Sequence, residues 1–214
     1  MKRRDFSLVC GAAIGAALIQ SPAQAQGKPF AVGTDYLVLD KRAPVEAPAG
    51  KIEVVEFFGY FCPHCNVFEP MFDAWRKRAP KDVVVRRVPV AFQAATVPQQ
   101  RLFYALDAMD LVDKLHAKVF AAIHVERQSL TETDAIANWV AKQGVDKTKF
   151  LEQFNSFAVA TKVKRASDLP NAYLIDGVPA LGVAGRYLTG GMAGSMDRAL
   201  QVVEFLAAQV RSGK

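Results

Sequence analysis

Two cysteines three positions apart, Cys62 and Cys65, are the residues of this sequence best suited to chemistry. Pro63 and His64 lie between them, and the motif stands where an apolar strand pattern gives way to a helix pattern. Free backbone N–H groups and the dipole of a helix stabilise a thiolate at its first residue, and a protonated His64 would add a positive charge. We therefore expect the Cys62 sulfur to be exposed and acidic, and Cys65, one turn further along, to be covered. A stabilised thiolate makes the corresponding disulfide an oxidant.

Two other uses of this cysteine pair are disfavoured. A disulfide that closes a loop of about four residues constrains the unfolded chain by only about 2 kcal/mol, which makes a purely structural bridge a poor interpretation. A zinc site needs about four ligands, and the only histidines that could join the two cysteines are His64, His116 and His124. We expect redox catalysis, no metal, and a surface or hydrogen-bonded core position for His116 and His124.

Residues 1–25 have the pattern of a secretory signal peptide. Basic residues 2–4 precede an apolar run at residues 6–19, and Ala23-Gln24-Ala25 follows as a small-residue cleavage site. The run is shorter than the roughly 20 residues that a membrane-spanning helix needs. Cleavage after Ala25 would remove Cys10 and deliver the other two cysteines to the oxidising periplasm. Arg3-Arg4 also fits the twin-arginine pattern, so both export routes stay open.

The composition is that of a folded globular protein. Of the 214 residues, 51% are hydrophobic and 22% are charged, which excludes a disordered chain. The formal net charge is +6, but basic residues are scattered among acidic ones, and no basic run alternates with aromatic residues as in a nucleic-acid groove. We expect no nucleic-acid partner.

Strand and helix patterns alternate along the mature chain. Residues 36–39, 52–58 and 83–90 are strand candidates, and the helix that starts at Cys62 connects the second to the third, which predicts a parallel βαβ unit. Between Pro98 and Pro170 the pattern is helical only, with four helices expected near residues 102–109, 115–123, 136–140 and 149–165. Residues 172–175 and 181–188 are then predicted to form a hairpin, and a last helix follows Ser195. The fold class is α/β, with a helical insertion.

Three features together resemble the DsbA family of thioredoxin-fold thiol:disulfide oxidoreductases. They are the segment from Glu56 to Cys65 with its Cys-Pro-His-Cys motif, the helical insertion, and Gly177-Val178-Pro179-Ala180. The resemblance covers residues 36–210. It implies a thioredoxin-like domain made of residues 26–95 and 171–214, interrupted by an inserted helical domain at residues 96–170.

The resemblance also implies roles for individual residues. Cys62 would be the sulfur that attacks and is attacked, Cys65 the buried resolving cysteine, and Pro63 and His64 the residues that tune the pair. Pro179 would follow a cis peptide bond and face the disulfide, so that Val178 can pair with an extended substrate by strand addition.

Glu56 interrupts the apolar run of a strand that should be buried on both faces, and a buried carboxylate needs a partner or a proton. In the family this resembles, an acidic residue at this position and a basic residue on the neighbouring strand lie beneath the buried cysteine and relay its proton. Here those residues are Glu56 and Arg87, with arginine where lysine is expected.

The implied function is to introduce disulfide bonds into unfolded exported proteins that carry free thiols. A membrane quinone reductase of the DsbB type would reoxidise the pair, no bound cofactor would be required, and the protein would be a monomer.

Two alternative functions stay open. One is a disulfide isomerase or reductase of the same fold, although the 25 residues from Gln26 to Gly50 leave little room for the N-terminal dimerisation domain usual in isomerases. The other is a non-catalytic thioredoxin-like protein that binds peptides or copper.

Overall fold

Strand β2, Ile52–Phe58, is the centre of the fold, and all seven of its residues are buried. The computed structural model describes residues 29–213. A nearly continuous apolar and β-branched run favours a strand covered on both faces, and the structure confirms that prediction. The predicted signal peptide and its cleavage site lie outside the described residues.

The described residues form one mixed five-stranded sheet. Besides β2, its strands are β1 (Leu37–Val38), β3 (Val83–Pro89), β4 (Ala180–Val183) and β5 (Tyr187–Gly190). The order across the sheet is β1-β5-β4-β2-β3; β2 and β3 are parallel, and the other neighbours are antiparallel. The parallel register places Glu56 directly opposite Arg87.

Helix α1, Pro63–Arg78, joins β2 to β3 and completes the predicted βαβ unit. Five helices follow before the hairpin: α2 (Val97–Ala108), α3 (Val112–His124), α4 (Thr133–Lys142), α5 (Lys147–Phe154) and α6 (Phe157–Ala172). The chain ends in α7, Met196–Arg211, whose N-terminus is capped by the Ser195 hydroxyl as predicted. Among residues 29–213, no helix combines the length and apolar character needed to cross a membrane. The division into two domains stays a prediction.

Side chains of β2 pack into three parts of the core. Val54 packs with α1 and α7 on one face of the sheet, whereas Val55 and Phe57 pack with α6 on the other. Phe58, at the end of the strand, joins the cluster formed by helices α2 to α5. The end of β2 therefore lies where the sheet meets the helical insertion, and the cysteine motif begins there.

Two element predictions were wrong. The single helix expected at residues 149–165 is two helices, because the Ser156 hydroxyl accepts from the Val159 amide and starts a new helix. Residues 172–175 are not a strand. Helix α6 runs through Pro170, and Tyr173 is fully buried with its ring 5.1 Å from that of Phe57. The hairpin is β4 with β5 instead.

Candidate active site

Cys62 is the N-cap residue of α1. Its backbone is extended (φ −87°, ψ 118°), and Pro63 follows at the first helical position, where a missing N–H removes no helical hydrogen bond. The Cys62 amide donates to the Gly59 carbonyl (3.0 Å), and its own carbonyl accepts from the Asn66 amide (3.2 Å). The sulfur is thereby held at the positive end of the helix dipole.

Both cysteines are thiols in this structure and both are buried, with 7% of Cys62 and 1% of Cys65 exposed. The prediction that the Cys62 sulfur is exposed was therefore wrong, although Cys62 is the more accessible of the two. The cover comes from the loop before β4, because the Cys62 Sγ lies 3.2 Å from the Val178 carbonyl oxygen, to which only the protonated sulfur can donate. The Val178–Pro179 peptide bond is cis, as the resemblance implied.

The two thiols differ in acidity. The Cys65 thiol donates a hydrogen bond to the Cys62 sulfur, and with the amides of Cys65 and His64 and the His64 charge it lowers the pKa of Cys62 to about 6, against the opposing effect of burial. The same hydrogen bond and burial raise the pKa of Cys65 far above its usual range, and the charges of Cys62 and Glu56 add to the rise. At neutral pH Cys62 is a thiolate and Cys65 keeps its proton.

An apolar groove of about 700 Å³ runs beside this sulfur pair. It lies between α1 and the loops at either end of the β4–β5 hairpin. Its lining includes His64, Val67, Met71, Leu174, Val178 and Pro179. Val67 is 76% exposed and Leu174 is 63% exposed, so the groove offers apolar surface to another molecule.

Beneath Cys65 lies a buried charge cluster made of Glu56, Glu69, Arg87 and His116. Arg87 donates from Nε to Glu56 Oε2 (3.0 Å) and from Nη2 to Glu69 Oε1 (2.6 Å), so one guanidinium contacts two carboxylates. Burial raises the pKa of Glu56 to about 8, against the lowering effect of the Arg87 charge, and the Glu69 charge raises it further. Glu56 is therefore protonated at neutral pH. The structure thus pairs the two residues that the resemblance had implicated in proton relay.

Two histidines of α3 contact Tyr60, which leads into the cysteine motif. His116 Nδ1 lies 2.8 Å from the Tyr60 hydroxyl, and His124 Nε2 donates to the Tyr60 carbonyl at 2.8 Å. His116 is buried and His124 half-buried, but the prediction that both are satisfied fails for His116, whose Nε2 has no hydrogen-bond partner among residues 29–213. Within residues 29–213, no three His, Cys, Asp or Glu side chains are grouped to hold a metal ion.

Glu69 is the member of the cluster that sequence reasoning missed. It is 6% exposed and lies four residues after Cys65, on the apolar face of α1 that also carries Phe68 and Phe72. A carboxylate at this spacing, on a face otherwise filled by large apolar side chains, was the signal that could have found it.

We expect His64→Ser to raise the pKa of Cys62, because the substitution removes a positive charge next to the thiolate. The rise should stay below about one pH unit, because His64 is exposed and its charge is the smallest of the contributions. Thiolate absorbance of the reduced protein, titrated against pH, measures it. His64→Lys, which restores a charge, should return the midpoint toward the wild-type value. A midpoint that stays put or falls in His64→Ser would remove the electrostatic role.

Comparison with known proteins places this site in a family. Residues 53–202 match the family described as the DSBA-like thioredoxin domain. The thiol:disulfide interchange protein DsbA of Bordetella pertussis is 47% identical over 207 residues, covering 95% of this chain and 96% of that protein. DsbA of Burkholderia cepacia is 40% identical over an alignment of 215 positions, covering 100% of this chain and 100% of that protein.

Solved structures agree. The crystal structure of Pseudomonas aeruginosa DsbA superimposes with a TM-score of 0.82 at 37% identity, covering 86% of this chain and 96% of that one. Oxidoreductase DsbA from Xylella fastidiosa gives a TM-score of 0.79 at 33% identity, covering 86% and 98%. The α/β thioredoxin fold with a helical insertion, predicted from the sequence, is confirmed.

Proposed function

Because the chain belongs to the DsbA family of thioredoxin-fold thiol:disulfide oxidoreductases, we propose that it introduces disulfide bonds into exported proteins through Cys62 and Cys65. The observation that carries the assignment to these residues is the difference between the two sulfurs. Cys62 sits at a helix N-terminus, where hydrogen bonds to its sulfur lower its pKa, whereas Cys65 donates one of those bonds and has its own pKa raised. Because its thiolate is stabilised, Cys62 is a good leaving group when a mixed disulfide is resolved. The same stabilisation favours the reduced pair, so the Cys62–Cys65 disulfide is an oxidant.

The reaction begins with the Cys62–Cys65 disulfide. A substrate thiolate attacks the Cys62 sulfur, the bond to Cys65 breaks, and Cys65 leaves as a thiolate that takes up a proton. A second substrate thiolate then attacks the substrate sulfur of the mixed disulfide and expels Cys62 as a thiolate. The substrate loses two electrons and gains a disulfide, and the cysteine pair gains both electrons.

Glu56 supplies the proton in this scheme. Its carboxyl is close enough to Cys65 to raise the pKa of that thiol when the carboxyl is ionised, and at neutral pH the carboxyl is mostly protonated. It therefore can give a proton to Cys65 as that sulfur leaves, and take one back when the pair is reoxidised. Arg87 holds the carboxyl in place through the hydrogen bond from its Nε.

The groove and the Val178 loop supply the binding surface. The Val178 carbonyl contacts the Cys62 thiol, so an extended substrate paired with residue 178 would lie against the sulfur. An unfolded chain exposes apolar side chains that suit the groove beside it. Apolar contacts of this kind do not select a particular substrate sequence, which suits a wide range of unfolded substrates.

The setting of the reaction follows from the same proposal. We place the mature protein in the periplasm after cleavage at Ala25, with unfolded exported proteins as substrates and a DsbB-like membrane quinone reductase as reoxidant. It acts as a monomer, without a bound cofactor and without nucleic acid. The two electrons leave through the Cys62–Cys65 dithiol itself.

Relative stability of the two redox forms tests the assignment. The pKa of Cys62 is lowered in the fold, so the thiolate stabilises the reduced protein above about pH 6, increasingly up to the unfolded value of 9. We expect the reduced form to be the more stable one at pH 8, with its advantage growing by roughly 1–2 kcal/mol between pH 6 and pH 8 once solvent access to the sulfur is allowed for.

Urea unfolding of both forms at the two pH values measures this, with equilibration against glutathione as an independent check. The constraint of the disulfide on the unfolded chain is the same at both pH values, so the change isolates the thiolate. An oxidised form that is clearly more stable at pH 8 would point instead to a reductant of the same fold.

A further inference from the structure

The buried carboxyls of Glu56 and Glu69 share one positive charge, the guanidinium of Arg87. Arg87 can neutralise only one of Glu56 and Glu69, and a second carboxylate would be an uncompensated charge in the core. The other charged group near them, Arg76 of α1, is 28% exposed and already paired with Asp73 and Asp113. The cluster of Glu56, Glu69 and Arg87 is neutral when it holds one extra proton, carried by one of the two carboxyls.

His116 distinguishes the two carboxylates. Its Nε2 lies 3.3 Å from Glu69 Oε2, and it makes no comparable contact with Glu56 among the described residues. The two atoms are poorly aligned for a hydrogen bond, but each lacks any other hydrogen-bond partner in residues 29–213. At 3.3 Å, each is close enough to the other for a small rotation of either side chain to satisfy both buried atoms.

The hydrogen bond from Tyr60 determines which ring nitrogen carries the proton. Burial raises the pKa of the Tyr60 hydroxyl well above its usual range, so the group keeps its proton, and the only described acceptor within reach is His116 Nδ1 at 2.8 Å. Burial also lowers the pKa of His116, whose ring is therefore neutral. With Nδ1 accepting, the single ring proton is on Nε2, the nitrogen that lies 3.3 Å from Glu69 Oε2.

We propose that His116 decides which buried carboxylate holds the extra proton: its Nε2–H stabilises ionised Glu69, and the proton is left on Glu56, beside Cys65. His116 is thus a positioning residue that acts on the thiol chemistry through Glu69 and Arg87. The groups that face this proton are Arg87 of β3, Arg76, Glu69 and Cys65 of α1, Tyr60 before α1, and His116 of α3.

This inference rests on the proposed function, because a proton on Glu56 is useful only if Cys65 must gain one. When the Cys62–Cys65 bond breaks, the Cys65 sulfur takes the proton from Glu56, and the carboxylate that remains faces Arg87. If the proton resided on Glu69 instead, Cys65 would be left beside an ionised carboxylate with no proton to give.

Carboxyl ¹³C NMR titration of the reduced protein tests the proposal, with resonances assigned from Glu56→Gln and Glu69→Gln. In the wild-type protein we expect Glu56 to titrate near pH 8. His116→Phe removes the donor and should lower the Glu56 midpoint by about one unit, a tenfold change in proton affinity. An unchanged Glu56 midpoint would overturn the proposal.

Two controls separate hydrogen bonding from packing. His116→Gln keeps an N–H donor and should restore most of the wild-type midpoint. His124→Phe changes the same residue type on the same helix, next to the same tyrosine, but His124 contacts a carbonyl rather than a carboxylate, so the Glu56 titration should not move. Equal shifts in the Phe and Gln variants at position 116 would assign the effect to packing.

A measurement on the wild-type protein does not depend on the folding of any variant. Side-chain ¹⁵N spectra report which nitrogen of His116 is protonated, and we expect Nε2; a proton on Nδ1 would overturn the proposal. Neither titration nor ring spectrum requires oxidase activity. Loss of the proposed function, seen as failure of the wild-type protein to oxidise a dithiol peptide, is therefore distinguishable from failure of this inference.

Discussion

Cys62→Ser should lower the rate of dithiol peptide oxidation by at least about a thousandfold, because it removes the sulfur on which both transfer steps occur. Cys65→Ser should abolish turnover as completely but behave differently toward disulfides. Its Cys62 thiolate still attacks a disulfide peptide and releases one thiolate, but no second sulfur resolves the adduct. Mass spectrometry of the variants after incubation with the peptide measures both outcomes.

The pH dependence of adduct formation sharpens the test. Only the thiolate attacks, and the pKa of Cys62 is lowered to about 6, so the Cys65→Ser variant should reach half its maximal rate near that pH. Serine can still donate a hydrogen bond to the Cys62 sulfur, which makes it a better replacement than alanine here. Adducts on Cys62→Ser but none on Cys65→Ser would reverse the roles of the two cysteines.

The central strand and the cysteine motif could be predicted from the sequence because their signals are local. Five apolar residues in a run of seven, interrupted only by Glu53 and Glu56, predict a buried strand, and the structure gives the same bounds, Ile52–Phe58. The change from a strand pattern to a helix pattern is then enough to place Cys62 at a helix N-terminus. Such signals depend on neighbours in sequence and do not require the tertiary fold.

The cover over Cys62 could not be predicted in the same way. The Val178 carbonyl that contacts its thiol is 116 residues away in sequence, and no periodicity in either segment brings them together. The pairing of Glu56 with Arg87 likewise depends on the register of two parallel strands, which the family resemblance suggested but the residues themselves do not determine.

Glu69 and His116 show a third kind of limit. A glutamate on a helix is ordinarily solvated, and a histidine among apolar residues is ordinarily a packed core residue. Their partnership exists because α3 of the insertion packs across α1, and only tertiary structure reveals that. The helix break at Ser156 could be predicted only in part. A capping serine is visible in the sequence, but it does not by itself oblige a helix to end.

Arg87→Met should destabilise the protein by about 3–5 kcal/mol at pH 8, since it leaves two buried carboxylates without their cation. Methionine is a fair replacement for the arginine stem, whose guanidinium lies over the Phe72 ring at 5.5 Å, so most of the packing is retained. Urea unfolding of the oxidised protein measures the loss without interference from the thiols.

The size of that loss should depend on pH with a definite sign. Burial already raises the pKa of Glu56 above its unfolded value, and the loss of the Arg87 charge should raise it further. Stability then falls as pH rises from about 4 through the folded pKa values. We expect the variant to lose stability between pH 5 and pH 8 more steeply than the wild-type protein.

Arg76→Met is the matched control, because Arg76 also contacts two carboxylates but is 28% exposed. Its loss should stay below about 1 kcal/mol, as for surface ion pairs. Adding Glu56→Gln and Glu69→Gln to Arg87→Met should recover most of the stability by removing the uncompensated charges, and should flatten the pH dependence. If Arg87→Met instead behaved like Arg76→Met at both pH values, water would have to reach the carboxylates, and a cluster so solvated could not hold a proton on Glu56 for Cys65.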